Sequence, residues 1–246
     1  MIATEPSAIP HISVVVPVFN EQGAAAELAR EIAVAFQGVA HEIVFVDDAS
    51  SDETVQRLSA LRTALPQLRI LSHGRNAGQS RAIRTGVLAA RAPIIMTLDG
   101  DGQNDPADGP RLVRRLMDAP VALAMVGGRR AKRQDSAAKR IGSRLANGLR
   151  RRLLRDQAED TGCGLKAFRR DAFLRLPYFD HMHRFLPALF LREGFDIEFE
   201  DVGHRPRTTG QSKYTNFGRL RASVLDLLGV LWLRARTRDS AGAHEI

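Results

Sequence analysis

Five short apolar runs punctuate the first 127 residues: Ile12-Ser13-Val14-Val15-Val16, Glu42-Ile43-Val44-Phe45-Val46, Leu68-Arg69-Ile70-Leu71, Ile94-Ile95-Met96-Thr97-Leu98 and Val121-Ala122-Leu123-Ala124-Met125-Val126. Runs this short and rich in β-branched residues, bounded by turn formers, predict strands buried on both faces. Between them, apolar positions at helical spacing predict helices over about 21–37, 52–65, 78–91 and 108–118, with Ser51 or Asp52 able to cap the second. Strand–helix alternation predicts an α/β fold with a mostly parallel sheet and helices on both faces. Beyond residue 128 the pattern changes. A basic helical stretch leads to a glycine-rich strand candidate over 163–168, a helix near 184–194, a strand over 197–202, a polar loop over 203–213 and a last helix over about 215–235. No repeat or low-complexity linker interrupts the chain. One continuous domain is expected, divided into 1–128, 129–216 and a C-terminal helix and tail over 217–246.

The last helix carries the most apolar stretch, residues 222–233, but it is only twelve residues long and includes Asp226. A membrane span needs about 20 apolar residues, so this is not one. Two readings remain open: burial against the body, or a place at a membrane interface, which Trp232 followed by Arg234, Arg236 and Arg238 would suit.

Composition narrows the setting. A chain of 246 residues, 44% hydrophobic, can bury a sizeable core. The lone Cys163 excludes an intrachain disulfide and a cysteine-rich zinc module, and fits a reducing compartment. The start of the chain has neither a basic cluster nor an apolar core, so no signal peptide is expected. The formal net charge of +8 is unevenly spread. Residues 129–155 hold eleven Lys and Arg against Asp135 alone, a local +10, so the remainder sums to −2. Ile141, Leu145, Leu149, Leu153 and Leu154 interleave with these charges near helical spacing. A basic amphipathic helix of this kind suits an anionic membrane surface. No aromatic residue is interleaved for base stacking, so nucleic acid is not an expected partner.

Polar clusters follow four successive strand candidates: Pro17-Val18-Phe19-Asn20-Glu21, Asp47-Asp48-Ala49-Ser50-Ser51-Asp52, Gly74-Arg75-Asn76-Ala77-Gly78 and Asp99-Gly100-Asp101-Gly102-Gln103. Each alone is turn chemistry. Together they would converge on the carboxyl edge of one sheet, where open α/β folds bind ligands. Asp99 and Asp101, at i and i+2, can face the same way and share one divalent cation, with Gln103 as a further oxygen ligand. Hard oxygen donors suit Mg²⁺ or Mn²⁺. Neither G-x-G-x-x-G after the first strand nor a P-loop occurs, which argues against a dehydrogenase or P-loop NTPase. No G-x-S-x-G supports a hydrolase.

The motifs V-P-V-F-N-E over 16–21, V-D-D-A-S-S-D over 46–52 and D-G-D-G-Q over 99–103 resemble family 2 glycosyltransferases of the GT-A (Rossmann-like) fold. More narrowly, the chain resembles the dolichyl- and polyprenyl-phosphate sugar transferases, as in dolichol-phosphate mannose synthase. The resemblance extends over about 12–216 through T-G-C-G-L-K-A-F (161–168) and R-P-R-T-T-G-Q-S-K-Y (205–214). The Q-x-x-R-W motif of processive synthases is absent. The resemblance implies that Pro17, Phe19 and Glu21 line the nucleotide pocket, Phe19 standing where a Tyr is more usual, with Val46 and Asp48 beside the base or ribose. It implies that Asp99, Gly100, Asp101 and Gln103 hold a metal and the donor diphosphate, and that Arg129 begins a loop toward the acceptor. Lys166, Arg207, Ser212 and Lys213 would bind donor and acceptor phosphates, with Arg207 counted among the catalytic groups beside Asp99 and Asp101. The activity implied is inverting transfer of one sugar from a nucleotide-sugar to a polyprenyl phosphate, at the cytoplasmic face of a membrane to which the chain binds peripherally. A membrane-protein partner could receive the product. The alternatives are a soluble or protein acceptor and, least favoured, a basic nucleic-acid-binding module built on residues 129–155.

Overall fold

The valine run of the first strand sets the architecture around it. In an extended strand successive side chains point to opposite faces. Val14 and Val16 of β1 (Ile12–Val18) enter one hydrophobic layer and Val15 enters another, all fully buried. The computed structural model describes residues 10–130, 152–154, 156, 160–206 and 216–237, with side chains of the last helix from 224 onward. Among these residues β1 is followed by α1 (Ala25–Ala35), β2 (His41–Asp47), α2 (Thr54–Ser59), β3 (Leu68–Ser72), α3 (Gln79–Ala89), β4 (Ile94–Thr97), α4 (Gly109–Met117) and β5 (Leu123–Arg130). Then come β6 (Lys166–Arg169), α5 (Arg170–Arg175), α6 (Leu186–Arg192), β7 (Asp196–Val202) and α7 (Asn216–Ala235).

The seven strands form one sheet in the order β3-β2-β1-β4-β6-β5-β7. β6 runs antiparallel to both its neighbours, and the other pairings are parallel. One face is covered by α1, α2 and α4 through Leu28, Ile32, Leu58, Leu112 and Leu116. The other is covered by α3, α5 and α6 through Ile83, Val87, Phe173, Leu189 and Phe190. Burial on both faces is why the strands read as continuous apolar runs. Strand order reverses between β1 and β4, which opens a crevice at their carboxyl ends.

Several boundaries differ from the sequence expectation, each for a local reason. β5 starts at Leu123, not 121, because Val121 is 73% exposed in a turn, and it runs on to Arg130. Arg129 is therefore a strand residue, not the start of a loop. β6 begins at Lys166, since the backbone before it closes over the site. The segment Arg170–Arg175, unassigned by pattern, is a short helix following directly on β6. The basic segment lies largely outside the described residues.

For α7 the burial reading holds along one side of the helix. Leu227, Val230 and Leu231 pack on the core, and His181 Nδ1 bonds Asp226 Oδ2 at 2.9 Å, which gives the lone acid of the apolar stretch its partner. On the outside, Leu225, Leu228 and Trp232 are each about 60% exposed, with Val224 beside them. Among the described residues no helix is long and apolar enough to cross a membrane.

Candidate active site

All four polar clusters lie at the carboxyl edge of the sheet, and the first two are laced together by backbone donors. Asn20 N–H donates to Ser50 Oγ at 2.8 Å, Ser51 N–H to Asn20 Oδ1 at 2.8 Å, and Glu21 N–H to Thr54 Oγ1 at 2.9 Å. Asn20 and Ala49 take left-handed backbone conformations, with φ of 53° and 65°, which this interlock maintains. Pro17 is buried, while Phe19 and Glu21 are partly exposed beside it.

Asp48 has a structural task that its motif does not announce. Its carboxylate accepts the N–H groups of Ala77 at 2.9 Å and Gly78 at 2.8 Å, and bonds His73 Nδ1 at 2.7 Å. It is 4% exposed and anchors the loop leading into α3. Val46 is wholly enclosed in the core, so its side chain supports the site from beneath and cannot touch a ligand.

The centre is Asp99, at the end of β4. It lines a cavity of about 220 Å³ with Gln79, Thr97, Thr161, Gly164, Lys166, His183 and Arg184 among its walls. Gln79 Nε2 donates to Asp99 Oδ1 at 2.8 Å, and the Asp99 N–H donates to Asn104 Oδ1 at 3.3 Å. Gly164 lies so close that a Cβ there would overlap the Asp99 carboxylate. Gly100 is constrained in the same way, because a Cβ would meet Val18 Cγ1 at 2.5 Å and Pro17 O at 2.8 Å. Gly100 thus serves close packing between the β1 and β4 loops, whereas Gly102 supplies a left-handed φ of 73°. Burial, and then the charge of Asp101, push the Asp99 carboxyl above its ordinary range, while Lys166 pulls it down. Lys166 is itself 6% exposed and donates through Nζ to Cys163 O.

This donor set fits a divalent cation. Two carboxylates whose joint ionisation is disfavoured gain from a positive charge between them. Gln79 engages Asp99 through Oδ1, and Gln103 N–H binds Asp101 Oδ1 at 3.2 Å, which holds Gln103 beside the pair. Among the described residues no group of three or more His, Cys, Asp or Glu side chains could hold an ion. The remaining positions would fall to Gln103, water and ligand oxygens, the habit of Mg²⁺ and Mn²⁺ rather than of a closed zinc site.

A carboxyl whose folded value is raised binds its proton more tightly folded than unfolded. Its support for the fold is present in acid and lost as pH rises through the folded value. Asp99→Asn is therefore expected to melt at or above the wild-type temperature at pH about 8, with the difference shrinking toward pH about 4. Thermal melts across that range check it. A variant markedly less stable at the higher pH contradicts the assignment.

Arg129 and Arg130 divide their work. Arg129 Nε pairs with Asp201 Oδ1 at 2.6 Å on the exposed rim, holding the Asp201 carboxyl below its ordinary range. Arg130 makes a two-pronged pair with buried Asp160 at 2.6 and 2.7 Å and lies close enough to favour the Asp99 anion. Arg207, Ser212 and Lys213 lie outside the described residues. Pattern reading did not single out Gln79, Thr97, Arg130 or His183. Gln79 and His183 come from elements far apart in the chain, and only the fold unites them with Asp99.

The geometry agrees with what the chain is similar to. The model of the family described as glycosyl transferase family 2 matches residues 13–176. Dodecaprenyl-phosphate galacturonate synthase of Rhizobium johnstonii is 36% identical over 227 residues, covering 90% of this chain and 66% of that one. Undecaprenyl-phosphate 4-deoxy-4-formamido-L-arabinose transferase of Pseudomonas aeruginosa is 38% identical over 231 residues, covering 91% and 66%. The chain thus spans just under two thirds of the length of these curated relatives. Glucosyl-3-phosphoglycerate synthase of Mycobacterium tuberculosis, solved with Mn²⁺, UDP and glucosyl-3-phosphoglycerate, superposes with a TM-score of 0.69 at 20% identity, over 95% of this chain and 83% of that one. The likeness to it is one of fold. A GT-A sheet carrying an acidic pair at its switch point, and a family match over two thirds of the sequence, lead to one assignment: the chain belongs to glycosyl transferase family 2.

Proposed function

We propose that this chain transfers a single sugar from a nucleotide-diphosphate sugar to a polyprenyl phosphate, with Mg²⁺ or Mn²⁺ held by Asp99, Asp101 and Gln103. The observation that carries the acceptor is the similarity, along nine-tenths of the chain, to two enzymes whose names specify a polyprenyl phosphate. The donor and metal are supported by the Asp99–Asp101 pair and by a structural neighbour that binds UDP with Mn²⁺.

The chemistry follows from charge. An acceptor phosphate oxygen attacks the anomeric carbon as the bond from that carbon to the diphosphate oxygen breaks. The nucleoside diphosphate leaves with the electron pair, and the attack from the opposite face inverts the centre. The phosphate oxygen is anionic near neutral pH, so no general base is required. A divalent cation, when bound, would supply Lewis-acid stabilisation of the charge growing on the leaving group. Lys166, beneath Asp99, adds a fixed positive charge on the same side, and Arg207 and Lys213 are assigned to the acceptor phosphate.

We place the reaction at the cytoplasmic membrane face, with the chain bound peripherally. The exposed Leu225, Leu228 and Trp232 of α7, followed by Arg234 and Arg236, form a surface of the kind that seats an interfacial helix. Incubation with UDP- or GDP-hexose, Mn²⁺ and undecaprenyl phosphate is expected to move the sugar into a lipid-extractable product. Label appearing only on a water-soluble acceptor overturns the polyprenyl reading. In flotation with vesicles containing anionic phospholipid, the double variant Leu228→Ser, Trp232→Ser is expected to bind about 100-fold more weakly, since each buried large apolar side chain contributes roughly 1.5–3 kcal/mol. Equal flotation of variant and wild type excludes this helix as the docking face.

A further inference from the structure

The N-terminus of α3 supports two walls of the cavity at once. Gln79 holds Asp99, and the next residue, Ser80, holds His183 from the other side of the chain, 103 positions away. Ser80 is 1% exposed. Its Oγ accepts the His183 backbone N–H at 3.2 Å and lies 2.7 Å from Nδ1 of the same residue. A hydroxyl that accepts one bond has its own proton to give, and the near acceptor is Nδ1. We assign the Ser80 hydroxyl as donor to Nδ1, the tautomer that places the ring proton on Nε2. The imidazole is also kept neutral: burial, reinforced by Arg184, Lys166 and His181, holds it well below the usual histidine range.

A neutral ring with a directed N–H is not a phosphate clamp. Lys166 and Arg184 line the same cavity and carry the positive charge that phosphate needs. A neutral donor instead matches a hydroxyl, and about 220 Å³ is below the roughly 300–1,000 Å³ of sites for larger ligands. That space suits one sugar ring rather than a nucleotide.

We propose that His183 is a sugar-binding residue, donating Nε2–H to a hydroxyl of the transferred sugar beside Asp99, with Ser80 as its positioning residue. The assignment rests on the reading of this cavity as the donor site and adds which group reads the sugar. It gives a specific role to a histidine that the transfer chemistry leaves without one, since no base is required.

The test compares binding of the nucleotide alone with binding of the sugar nucleotide, both with Mn²⁺, by calorimetry on the full chain. UDP and GDP, and their glucose, galactose and galacturonate or mannose derivatives, are the probes. His183→Phe keeps the ring volume and removes the donor. It is expected to weaken the preferred sugar nucleotide about 3- to 10-fold while leaving the nucleoside diphosphate unchanged. His183→Gln, whose amide nitrogen can take the place of Nε2, is expected to recover most of that loss. Ser80→Ala is expected to show a smaller loss of the same selective kind. If His183→Phe weakens the nucleoside diphosphate as much as the sugar nucleotide, or weakens neither, the His183 assignment is overturned while the donor-site reading stands. If the wild type binds none of these nucleotides, the donor-site reading itself has failed.

Discussion

Asp101→Asn is expected to lower sugar transfer by about 10²–10³-fold, the usual loss when one electrostatic contact to developing charge is removed. The substitution is nearly isosteric, and an asparagine side-chain oxygen can still accept the Gln103 N–H now bonded at 3.2 Å to Asp101. Folding is therefore expected to be preserved, with a melting temperature within a few degrees of wild type. What is lost is one of two negative charges that would hold the cation against the leaving diphosphate. That interaction strengthens in the transition state, so the loss falls on kcat more than on donor affinity. Titration with Mn²⁺ adds a second readout. The variant should need more Mn²⁺ for half-maximal rate, because Asp99 alone offers a single charged ligand. Transfer within about threefold of wild type would remove Asp101 from the metal site.

The residues legible in the sequence are those whose local pattern and final role coincide. The first four strands announce themselves because burial on both faces demands unbroken apolar runs, and the loops after them sit where a parallel sheet must place its ligands. Asp99 and Asp101 could be paired from spacing alone. Asp48 shows the limit. In the D-D-A-S-S-D cluster, pattern gives no sign that the Asp48 carboxylate accepts from Ala77 and Gly78 and bonds His73. Val46 fails similarly, because a strand residue one position from the edge is still enclosed. His183 was illegible for another reason. Its partner Ser80 is 103 residues away and the turn bearing it is three residues long, so no periodicity marks it. Arg130 was hidden within the basic run, where charge density masked an arginine turned inward to Asp160.

Gly164→Ala is expected to be strongly damaging to the site, through Asp99 rather than through backbone strain. Gly164 does not take a left-handed φ, so alanine meets no conformational penalty of its own. Its Cβ, however, would occupy the space of the Asp99 carboxylate. The backbone cannot step aside easily: Thr97 Oγ1 donates to Gly164 O at 2.9 Å, and Gly128 N–H donates to the adjacent Leu165 O at 2.9 Å. Asp99 must therefore move, away from its bond with Gln79. Forcing one extra carbon into a packed site costs about 1–3 kcal/mol, several degrees of melting temperature for a chain this long. Displacing a charged ligand by about 1 Å costs about 10²-fold in rate. A double-mutant cycle separates this cause from general disruption. Asp99→Ala removes the obstructing carboxylate, so in its background Gly164→Ala should lose most of its effect on stability. Two effects that simply add would show that the added methyl acts elsewhere, and that Gly164 is not the residue whose absent side chain makes room for Asp99.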